Sequence, residues 1–586
     1  MEDKYKLVDE LMGRLTLEQK VGQLFTQAFY GTLLVPDVIR TITELNAGGL
    51  RITQFFRGFR RYARPGEQQG AFDRVSPDSM TPHLIDDRKD LLCKSPYLTI
   101  RQYAELLREL KKIAADRPYH IPLHMMLDQE GNASFDCIRG GIRTFASYFG
   151  IARRGDARLV HRICKAVGTQ LSAVGFNMIN SPVVDVVFDP SAAYIATRSF
   201  GCTVEHVCEM ASAAVAGYRA GGLIACAKHF PGRGSTTVDD HHDVGEITKS
   251  DEQMWSEDLA PYRRVIGEGL GAIMVGHSIY PCWDAENLAS VSQKILEGLV
   301  RGRLAFNGMV CTDSMIMGAI AKRYGVPRAC MLAIKAGASQ VLMKECGAIR
   351  EEAYRLTMEA ARSGEISEAH IDRLLIGNLK VKVDYSLFED SYWHDPTKAE
   401  RVVRSRAMER IEGRAAEEAV HLVRDRDGLL PLSATTRALL VEEVPRQYVN
   451  ANDKYIHPGI FWEQMLAHGD NVSLLEVQEN PTDEDLEKVA TYAPFYERFI
   501  VTYYKDRNTL STTRVVEALL EQGKKIIVVS STPLPYEVPD HWPTVVCTYG
   551  IMPPVLKLAA ALIYGKFTPK RGRPKAPWET PAKATA

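Results

Sequence analysis

The chain of 586 residues is 45% hydrophobic and 25% charged, and its formal net charge at pH 7 is −1. This length exceeds that of an ordinary single domain, so we expect two or more domains, each with its own hydrophobic core. The nearly neutral charge gives no bulk attraction to nucleic acid or to an anionic membrane surface, so neither partner is expected.

Cysteine usage and the N-terminal segment bear on the cellular compartment. The 11 cysteines are scattered, and no two are spaced as Cys-x-x-Cys, which is typical of reduced thiols and not of a disulfide framework or a zinc site. Residues 1–6 are mostly charged and lack the apolar core of a signal peptide. No apolar segment reaches the length of a membrane-spanning helix. We therefore expect a cytoplasmic protein.

Short apolar segments alternate with longer amphipathic segments through residue 385. The amphipathic segments predict helices over Val35–Leu45, Leu159–Val174, Met210–Ala220, Trp255–Gly267, Ile295–Arg303 and Ala329–Ala336. The short apolar segments predict strands over Ile121–Leu127, Gly175–Asn180, Leu223–Ala227, Ala272–Val275, Gly308–Thr312 and Gln340–Met343. Repeated helix–strand alternation of this kind indicates a parallel sheet.

A polar residue lies at or just after the carboxyl end of most of these predicted strands. These residues are Asp128, Asn180, Lys228, His277 and Asp313. A (β/α)₈ barrel and an open doubly wound sheet both place ligands at the carboxyl ends of parallel strands. The number of helix–strand units favours the barrel, so these residues are candidates for one active site.

The rest of the chain predicts a linker, a second domain and a tail. The four parts are a catalytic (β/α)₈ barrel over 1–385, a helical linker over 386–435, an α/β sandwich domain over 436–565 and a C-terminal tail over 566–586. Strands of the second domain are predicted over Arg437–Glu442, Phe499–Thr502, Lys525–Ser530 and Thr544–Thr548. The basic segment 571–575 is isolated in a neutral chain, which favours a solvated tail over a nucleic-acid contact.

The segment 228–243 concentrates groups that bind ligands or move protons. It contains a lysine, three histidines and three aspartates among two glycines and a proline. Because an Asp can fix the tautomer of a neighbouring His and stabilise its imidazolium, Asp239 and His241 are a candidate proton-transfer dyad. His242 and Asp243 form an alternative pair. A zinc site is the third interpretation, but the spacing fits no standard ligand pattern.

Several motifs resemble those of glycoside hydrolase family 3, specifically its bacterial β-N-acetylglucosaminidase branch. The most specific are Lys-His-Phe-Pro-Gly at 228–232 and Asp-x-His at 239–241. Further similar segments lie at 128–131, 182–186, 198–201, 275–277, 312–315, 428–432 and 548–550. The resemblance covers nearly the whole chain, although the matches in the second domain are weak individually.

The resemblance implies a retaining β-N-acetylhexosaminidase that acts on a small carbohydrate or glycoconjugate through a covalent glycosyl-enzyme intermediate, with no metal or other cofactor. It implies Asp313 as the nucleophile, and His241 paired with Asp239 as the acid/base. The residues that it implies for holding the sugar are Asp128, Arg198, Lys228 and His229. The residues alone leave other roles open, since Asp313 could cap the following helix and His229 could be a core histidine.

The chain departs from the family pattern in three places. Residues 132–135 replace the usual continuation of the 128–131 turn, Arg233 replaces a histidine, and Ser339 replaces an aspartate. These differences leave the sugar specificity open. A β-glycosidase of different specificity is one alternative, and a glycoside phosphorylase is another, because a histidine acid does not repel an incoming phosphate. A catalytically silent sugar-binding protein is the third, whereas the oligomeric state and the role of the 57–92 insert are not predicted.

Overall fold

The computed structural model describes residues 2–30, 34–53, 98–131, 141–189, 192, 195–240, 243–344, 347–445, 457–504, 511–531 and 538–569. Some features of the sequence analysis lie outside these residues. They are His241, His242, the 132–135 turn, the 57–92 insert and most of the predicted tail.

Eight parallel strands form the first sheet. They are β1 Phe25–Tyr30, β2 Gly49–Thr53, β3 His124–Leu127, β4 Met178–Ile179, β5 Ile224–Phe230, β6 Ala272–Val275, β7 Met309–Thr312 and β8 Val341–Met343, in the spatial order β7-β6-β5-β4-β3-β2-β1-β8. The two ends of the sheet meet, because the backbone N–H of Thr312 donates to the carbonyl of Gln340 at 2.9 Å. The predicted (β/α)₈ barrel is therefore confirmed.

Helices cover the outside of the barrel. They are Lys6–Met12, Leu17–Gly22, Pro36–Thr43, Ile100–Ala115, Tyr148–Ala152, Ala157–Val174, Val204–Ala220, Asp251–Ser256, Ala260–Gly267, Lys294–Arg303, Gly318–Tyr324, Val326–Ala336, Ala348–Arg362 and Glu368–Asp384. Capping boxes start several of them, such as Thr99 with Gln102 and Ser250 with Gln253. Within the described part of the chain, no helix is both long enough and apolar enough to cross a membrane.

The helix predicted over Trp255–Gly267 is two shorter helices in the structure. The first ends at Ser256, and the second begins at Ala260 with Pro261 in its first turn. Proline has no backbone N–H to donate to the preceding turn, so a continuous helix would lose a hydrogen bond at this position. The chain interrupts the helix there and restarts it.

Alternate residues of the strands point into the barrel and form its own buried cluster. Those from the strands are Met126, Met178, Ile224, Cys226, Ala272, Met274, Met309, Cys311 and Leu342. Val381 and Leu387 belong to the same cluster, and the nearby Lys382 donates to the carbonyls of Gly48 and Pro122, which precede β2 and β3. The last helix of the barrel therefore closes its amino-terminal end, opposite the strand ends that carry the polar residues.

Gly49 shows how closely the strands pack at the closed end of the barrel. It is the cross-strand neighbour of His124, and a Cβ atom on Gly49 would lie 2.0 Å from the His124 ring. His124 is fully buried, and its Nε2 lies 2.9 Å from the hydroxyl of Thr26. The position beside this imidazole therefore requires a glycine.

The second sheet has six strands. They are β9 His421–Asp425, β10 Ala438–Val444, β11 Val472–Gln478, β12 Arg498–Tyr503, β13 Lys525–Ser530 and β14 Thr544–Cys547, in the order β11-β10-β12-β13-β14-β9. Only β9 runs antiparallel to its neighbour. The helices of this part are Ile460–Leu466, Asp483–Tyr492, Thr513–Glu521 and Pro553–Ile563. The α/β sandwich that the sequence predicts is confirmed.

The two edge strands of this sheet, β9 and β11, are not among the predicted elements. Both are only partly buried, so neither has the continuous apolar pattern by which the central strands are recognised. The helices Pro396–Val403 and Arg406–Ala419 lie in the range predicted as a linker, but β9 lies in it too and pairs with β14. The second sheet thus begins inside that range, and the boundaries of the four parts stay a prediction.

Tyr549 joins the two domains. Its ring stacks on Phe149 of the barrel with a centroid separation of 5.6 Å, and it lies 5.5 Å from the ring of His421. The cluster around it includes residues of the barrel segment that leads toward Arg198. The members from the barrel are Phe149, Val183, Val187, Ala192 and Ile195, and those from the second domain are Cys547 and Tyr549.

Candidate active site

The polar residues predicted at the strand ends lie together at the carboxyl end of the barrel. Asp128 follows β3, Lys228 and His229 lie within β5, and Asp313 follows β7. Arg198 reaches the same place from the short 3₁₀ helix Ala196–Arg198. The structure thus brings together five residues that the sequence singles out, on elements that are far apart in the chain.

Two cations hold the carboxylate of Asp128. Its Oδ1 accepts a hydrogen bond from Lys228 Nζ at 2.7 Å, and its Oδ2 accepts from Nε of Arg51 at 3.2 Å and from Nη2 of the same guanidinium. Burial alone would raise the pKa of Asp128, but Lys228, Arg51 and the nearby Lys344 hold it well below its usual range. Asp128 is therefore ionised at neutral pH.

Glu130 binds Arg198 and shares Lys228 with Asp128. Arg198 donates from Nε to Oε2 at 2.6 Å and from Nη2 to Oε1 at 3.2 Å, and Lys228 Nζ pairs with Oε1. Burial opposes both charges, yet the two cations lower the pKa of Glu130 to about 2, and the two carboxylates raise the pKa of Lys228 to about 12. These charge-assisted contacts keep both cations in fixed positions.

His229 is a neutral imidazole with a defined tautomer. Its Nδ1 lies 2.7 Å from Oδ2 of Asp185 and donates to it, because a carboxylate has only acceptors. Its Nε2 lies 3.2 Å from Nη2 of Arg198 and accepts from it, because a guanidinium only donates. Burial lowers the pKa of His229, although Asp185 opposes the shift. Both ring nitrogens therefore have a fixed role.

Asp313 is an ionised carboxylate aimed from the end of β7. Its backbone N–H donates to Val275 at 2.8 Å, and its Oδ1 accepts from the backbone N–H of Ser314 at 2.6 Å. Its Oδ2 lies 4.0 Å from Nε2 of His229, and its side chain keeps 15% exposure. Burial alone would raise the pKa of Asp313, but nearby positive charge, from the His229 and His277 rings when they are protonated and from Lys344 and Lys228 throughout the neutral range, holds it well below its usual range.

His277 supports the residue that follows Asp313. Its Nε2 donates to the carbonyl of Ser314 at 3.1 Å, and its Nδ1, 2.8 Å from the hydroxyl of Ser290, accepts from it. Burial lowers the pKa of the His277 ring, which agrees with a neutral imidazole. These contacts favour a supporting role for His277 over contact with substrate.

The loop after β5 carries Asp239 and Asp240. Asp239 is buried, and its backbone carbonyl accepts from the N–H of Asp243 at 3.1 Å. Asp240 is also buried and forms an ion pair with Arg233, with 3.0 Å between Nη2 and Oδ1. Because His241 lies outside the described residues, the Asp239–His241 dyad stays a prediction.

Four further charged residues of the site are missing from the candidates that the sequence supplied. They are Arg51, Glu130, Asp185 and Lys344. Lys344 follows β8 directly, so the rule that found Asp313 after β7 could have found it as well. Glu130 and Asp185 lie in motifs that the sequence analysis did single out. Arg51 had no such signal, because it is one charge within an otherwise apolar strand.

The carboxylates of Asp128 and Glu130 are bound to cations. Among the residues that the structure describes, no group of three or more His, Cys, Asp or Glu side chains is placed to hold a metal ion. Asp128 and Glu130 converge on Lys228. The ammonium of Lys228 therefore lies between these two carboxylates.

Comparison with known families gives one family model over this part of the chain. Residues 92–376 match the model described as "Glycosyl hydrolase family 3 N terminal domain". This range includes every predicted site residue.

Curated proteins and a solved structure are also similar to the chain. Beta-hexosaminidase A of Pseudoalteromonas piscicida is 25% identical over 64% of this chain and 66% of its own length. Beta-hexosaminidase LpqI of Mycobacterium bovis (strain BCG / Pasteur 1173P2) is 30% identical over 44% of this chain and 67% of its own length. A glycoside hydrolase family 3 beta-N-acetylglucosaminidase from Paenibacillus sp. str. FPU-7 superposes with a TM-score of 0.79 at 25% identity, over 96% of this chain and 98% of that one. The chain spans 52% to 66% of the length of several of the curated hexosaminidases that it matches.

Proposed function

Because the chain belongs to glycoside hydrolase family 3, we propose that it is a retaining β-N-acetylhexosaminidase that releases terminal β-linked N-acetylglucosamine from a carbohydrate or glycoconjugate. The observation that carries the proposal is the Asp313 carboxylate. It is ionised, it projects from a barrel strand end, and it adjoins a network of buried cations and carboxylates. The hexosaminidases among the relatives support the choice of sugar.

In the first step of this proposal, Asp313 attacks the anomeric carbon of the bound sugar. A covalent bond forms between a carboxylate oxygen and that carbon, and the bond from the carbon to the leaving oxygen breaks. The leaving oxygen takes a proton from the imidazolium of His241, which Asp239 stabilises. The low pKa of Asp313 suits this role, because a protonated carboxyl group is a poor nucleophile.

In the second step, water hydrolyses the glycosyl-enzyme. The neutral His241 accepts a proton from the water as the water oxygen attacks the anomeric carbon and the bond to Asp313 breaks. Two inversions at the same carbon give net retention of configuration. His241 regains its proton, and Asp313 returns as a carboxylate, so the enzyme is restored.

The sugar hydroxyls would be held by the network around Lys228. Arg198 and Lys228 are fully ionised donors whose positions are fixed by Asp128 and Glu130. Donors and acceptors that are already oriented lose little entropy when they bind a hydroxyl. His229, locked between Asp185 and Arg198, would contribute an oriented ring edge and not a mobile proton.

Turnover of an aryl N-acetyl-β-glucosaminide tests the proposal. We expect the wild-type chain to hydrolyse this substrate, and Asp313→Asn to lower kcat by at least about a thousandfold, as the loss of a nucleophile does elsewhere. Asp540→Asn is the matched control, because that carboxylate is 97% exposed in the second domain, and its activity should be unchanged. Full activity in Asp313→Asn would show that Asp313 is not the nucleophile.

The same assay separates the hydrolase from its alternatives. Adding inorganic phosphate should leave the product as free N-acetylglucosamine, whereas a sugar 1-phosphate would make the chain a phosphorylase. Four aryl β-glycosides should be compared: the N-acetylglucosaminide, the N-acetylgalactosaminide, the glucoside and the xyloside. We expect the chain to hydrolyse the N-acetylglucosaminide fastest. Sugar binding without turnover of any of the four would indicate a silent sugar-binding protein.

A further inference from the structure

Arg233 links two parts of the candidate site through its main chain and its side chain. Its backbone N–H donates to Oδ1 of Asp185 at 2.7 Å, and Asp185 is the carboxylate that orients His229. Its guanidinium pairs with Asp240 at 3.0 Å between Nη2 and Oδ1. Neither side chain is more than 2% exposed. The sequence marks this arginine only as a departure from the family pattern.

Asp240 is fixed by contacts from three separate segments. Besides Arg233, its carboxylate accepts from the backbone N–H of His277 at 3.1 Å and from the hydroxyl of Ser278 at 3.2 and 3.3 Å. Its backbone carbonyl accepts from the N–H of Ala319 at 3.2 Å. A buried carboxylate whose oxygens meet a cation, an amide and a hydroxyl has little freedom to move.

We infer that Arg233 is a positioning residue, which acts through Asp240 to hold the segment that carries the Asp239–His241 dyad. The inference rests on the proposed function. Asp240 follows Asp239 directly and precedes His241 directly in the chain, so the contacts that fix Asp240 also restrict the position of the adjoining Asp239. Through its own main chain, Arg233 ties this segment to Asp185 and hence to the sugar-binding network.

The dependence of the rate on the leaving group distinguishes a loss of proton donation from general damage to the fold. A poor leaving group, such as a phenolate of high pKa, needs its proton while the glycosidic bond breaks. A good leaving group, such as 2,4-dinitrophenolate, departs without one. If Arg233 positions the proton donor, its loss should slow only the first kind of substrate, whereas a misplaced Asp313 would slow both.

The test compares phenyl and 2,4-dinitrophenyl N-acetyl-β-glucosaminides with the full-length chain. For Arg233→Met and Asp240→Asn we expect kcat/KM on the phenyl substrate to fall about 10- to 100-fold, the range typical of a small displacement of a catalytic group. On the dinitrophenyl substrate, kcat/KM of both variants should stay within about threefold of the wild-type value. Arg233→Lys keeps the charge and should recover part of the loss. Arg264→Met, which removes an arginine that is 59% exposed, is the matched control.

Equal losses on both substrates, or no loss on either, would overturn the inference. Should a single variant fold poorly because it leaves a buried charge without its partner, the double variant Arg233→Met/Asp240→Asn removes both charges and must show the same leaving-group dependence. Hydrogen exchange separates this inference from the proposed function. If the wild-type chain turns over neither substrate, the proposed function is wrong. In that case, faster hydrogen exchange at residues 236–240 and 277 in Arg233→Met would still support the positioning role of Arg233. Unchanged exchange at these residues would contradict that role.

Discussion

His229 is a neutral imidazole with both ring nitrogens occupied, and this restricts what it can contribute. Its one N–H donates a hydrogen bond to Asp185, and its other nitrogen accepts one from Arg198. Since burial also lowers its pKa, the ring stays neutral throughout the neutral pH range. A histidine in this state orients a substrate but does not shuttle protons. We therefore expect the acid and base to be a different residue, which agrees with the proposal of His241 for this role.

Two neighbouring Asp–His pairs compete for that role, and their aspartates differ in surroundings. Asp239 is buried, whereas Asp243 is exposed and accepts a hydrogen bond from the N–H of Val244. A carboxylate stabilises an imidazolium more strongly when it is shielded from water. We expect Asp239→Asn to lower kcat on a phenyl glycoside about 100-fold or more, the range of general acid catalysis, and Asp243→Asn to change it less than about twofold. The reverse order would transfer the role to His242 and Asp243.

At the scale of elements, the loop after β5 is held by main-chain packing as well as by ion pairs. The carbonyl of Gly234 accepts from the N–H groups of Phe188 at 2.9 Å and Asp189 at 3.2 Å. A Cβ atom at Gly234 would lie 1.6 Å from the carbonyl oxygen of Val186. The loop and the segment after β4 thus touch backbone to backbone, next to the carboxylate of Asp185.

Gly234→Ala should therefore be strongly destabilising. Because the new methyl group meets backbone and not a flexible side chain, we expect the free energy of unfolding to fall by about 3 kcal/mol or more, the upper range for overpacking. Gly413→Ala is the matched control, since nothing lies within 4 Å of a Cβ atom there, and in the middle of the helix Arg406–Ala419 it should gain about 0.5–1 kcal/mol. Urea unfolding measures whether each variant is less or more stable than the wild type. Equal unfolding midpoints for the two variants would contradict the close packing of the loop.

The elements differ in how much of them the sequence could predict. Residues 224–227 of β5 and 526–529 of β13 are continuous apolar runs that lie where the pattern placed strands, although β5 continues through Lys228 and His229 to Phe230. The edge strand β9 has mostly half-buried residues and carries charges, so its pairing depends on β14, more than a hundred residues further along the chain. The site divides in the same way. Asp313 follows from its place after β7, whereas Arg51 belongs to the site only because the barrel brings β2 beside β3.

At the scale of the whole molecule, the second domain supports the candidate site without supplying a charged group to the contacts described. Tyr549 stacks on Phe149 and shares a buried cluster with Val187 and Ile195, which lie close in the chain to Asp185 and Arg198. A Cβ atom at the neighbouring Gly150 would lie 2.9 Å from both Tyr549 and Ala419, so the two domains meet without a gap. Displacing this tyrosine should therefore affect both stability and sugar binding.

Tyr549→Ala should lower the free energy of unfolding by about 3–5 kcal/mol, as the loss of a buried aromatic ring does in other cores. KM for the aryl glycoside should rise, because the segment that carries Arg198 loses its support. Tyr549→Phe retains the ring and should leave KM unchanged. Calorimetry and steady-state kinetics measure the two effects. A destabilised Tyr549→Ala with an unaltered KM would show that the domains meet for stability alone.

The contact between Gly49 and His124 has a consequence for the history of the sequence. Because a side chain at 49 would overlap the imidazole, the two positions cannot drift independently. A lineage that keeps the histidine must keep the glycine, and a larger residue at 49 becomes acceptable only after a smaller one has replaced His124. Among homologous chains, these two sites should therefore covary, with the change at 124 preceding the change at 49.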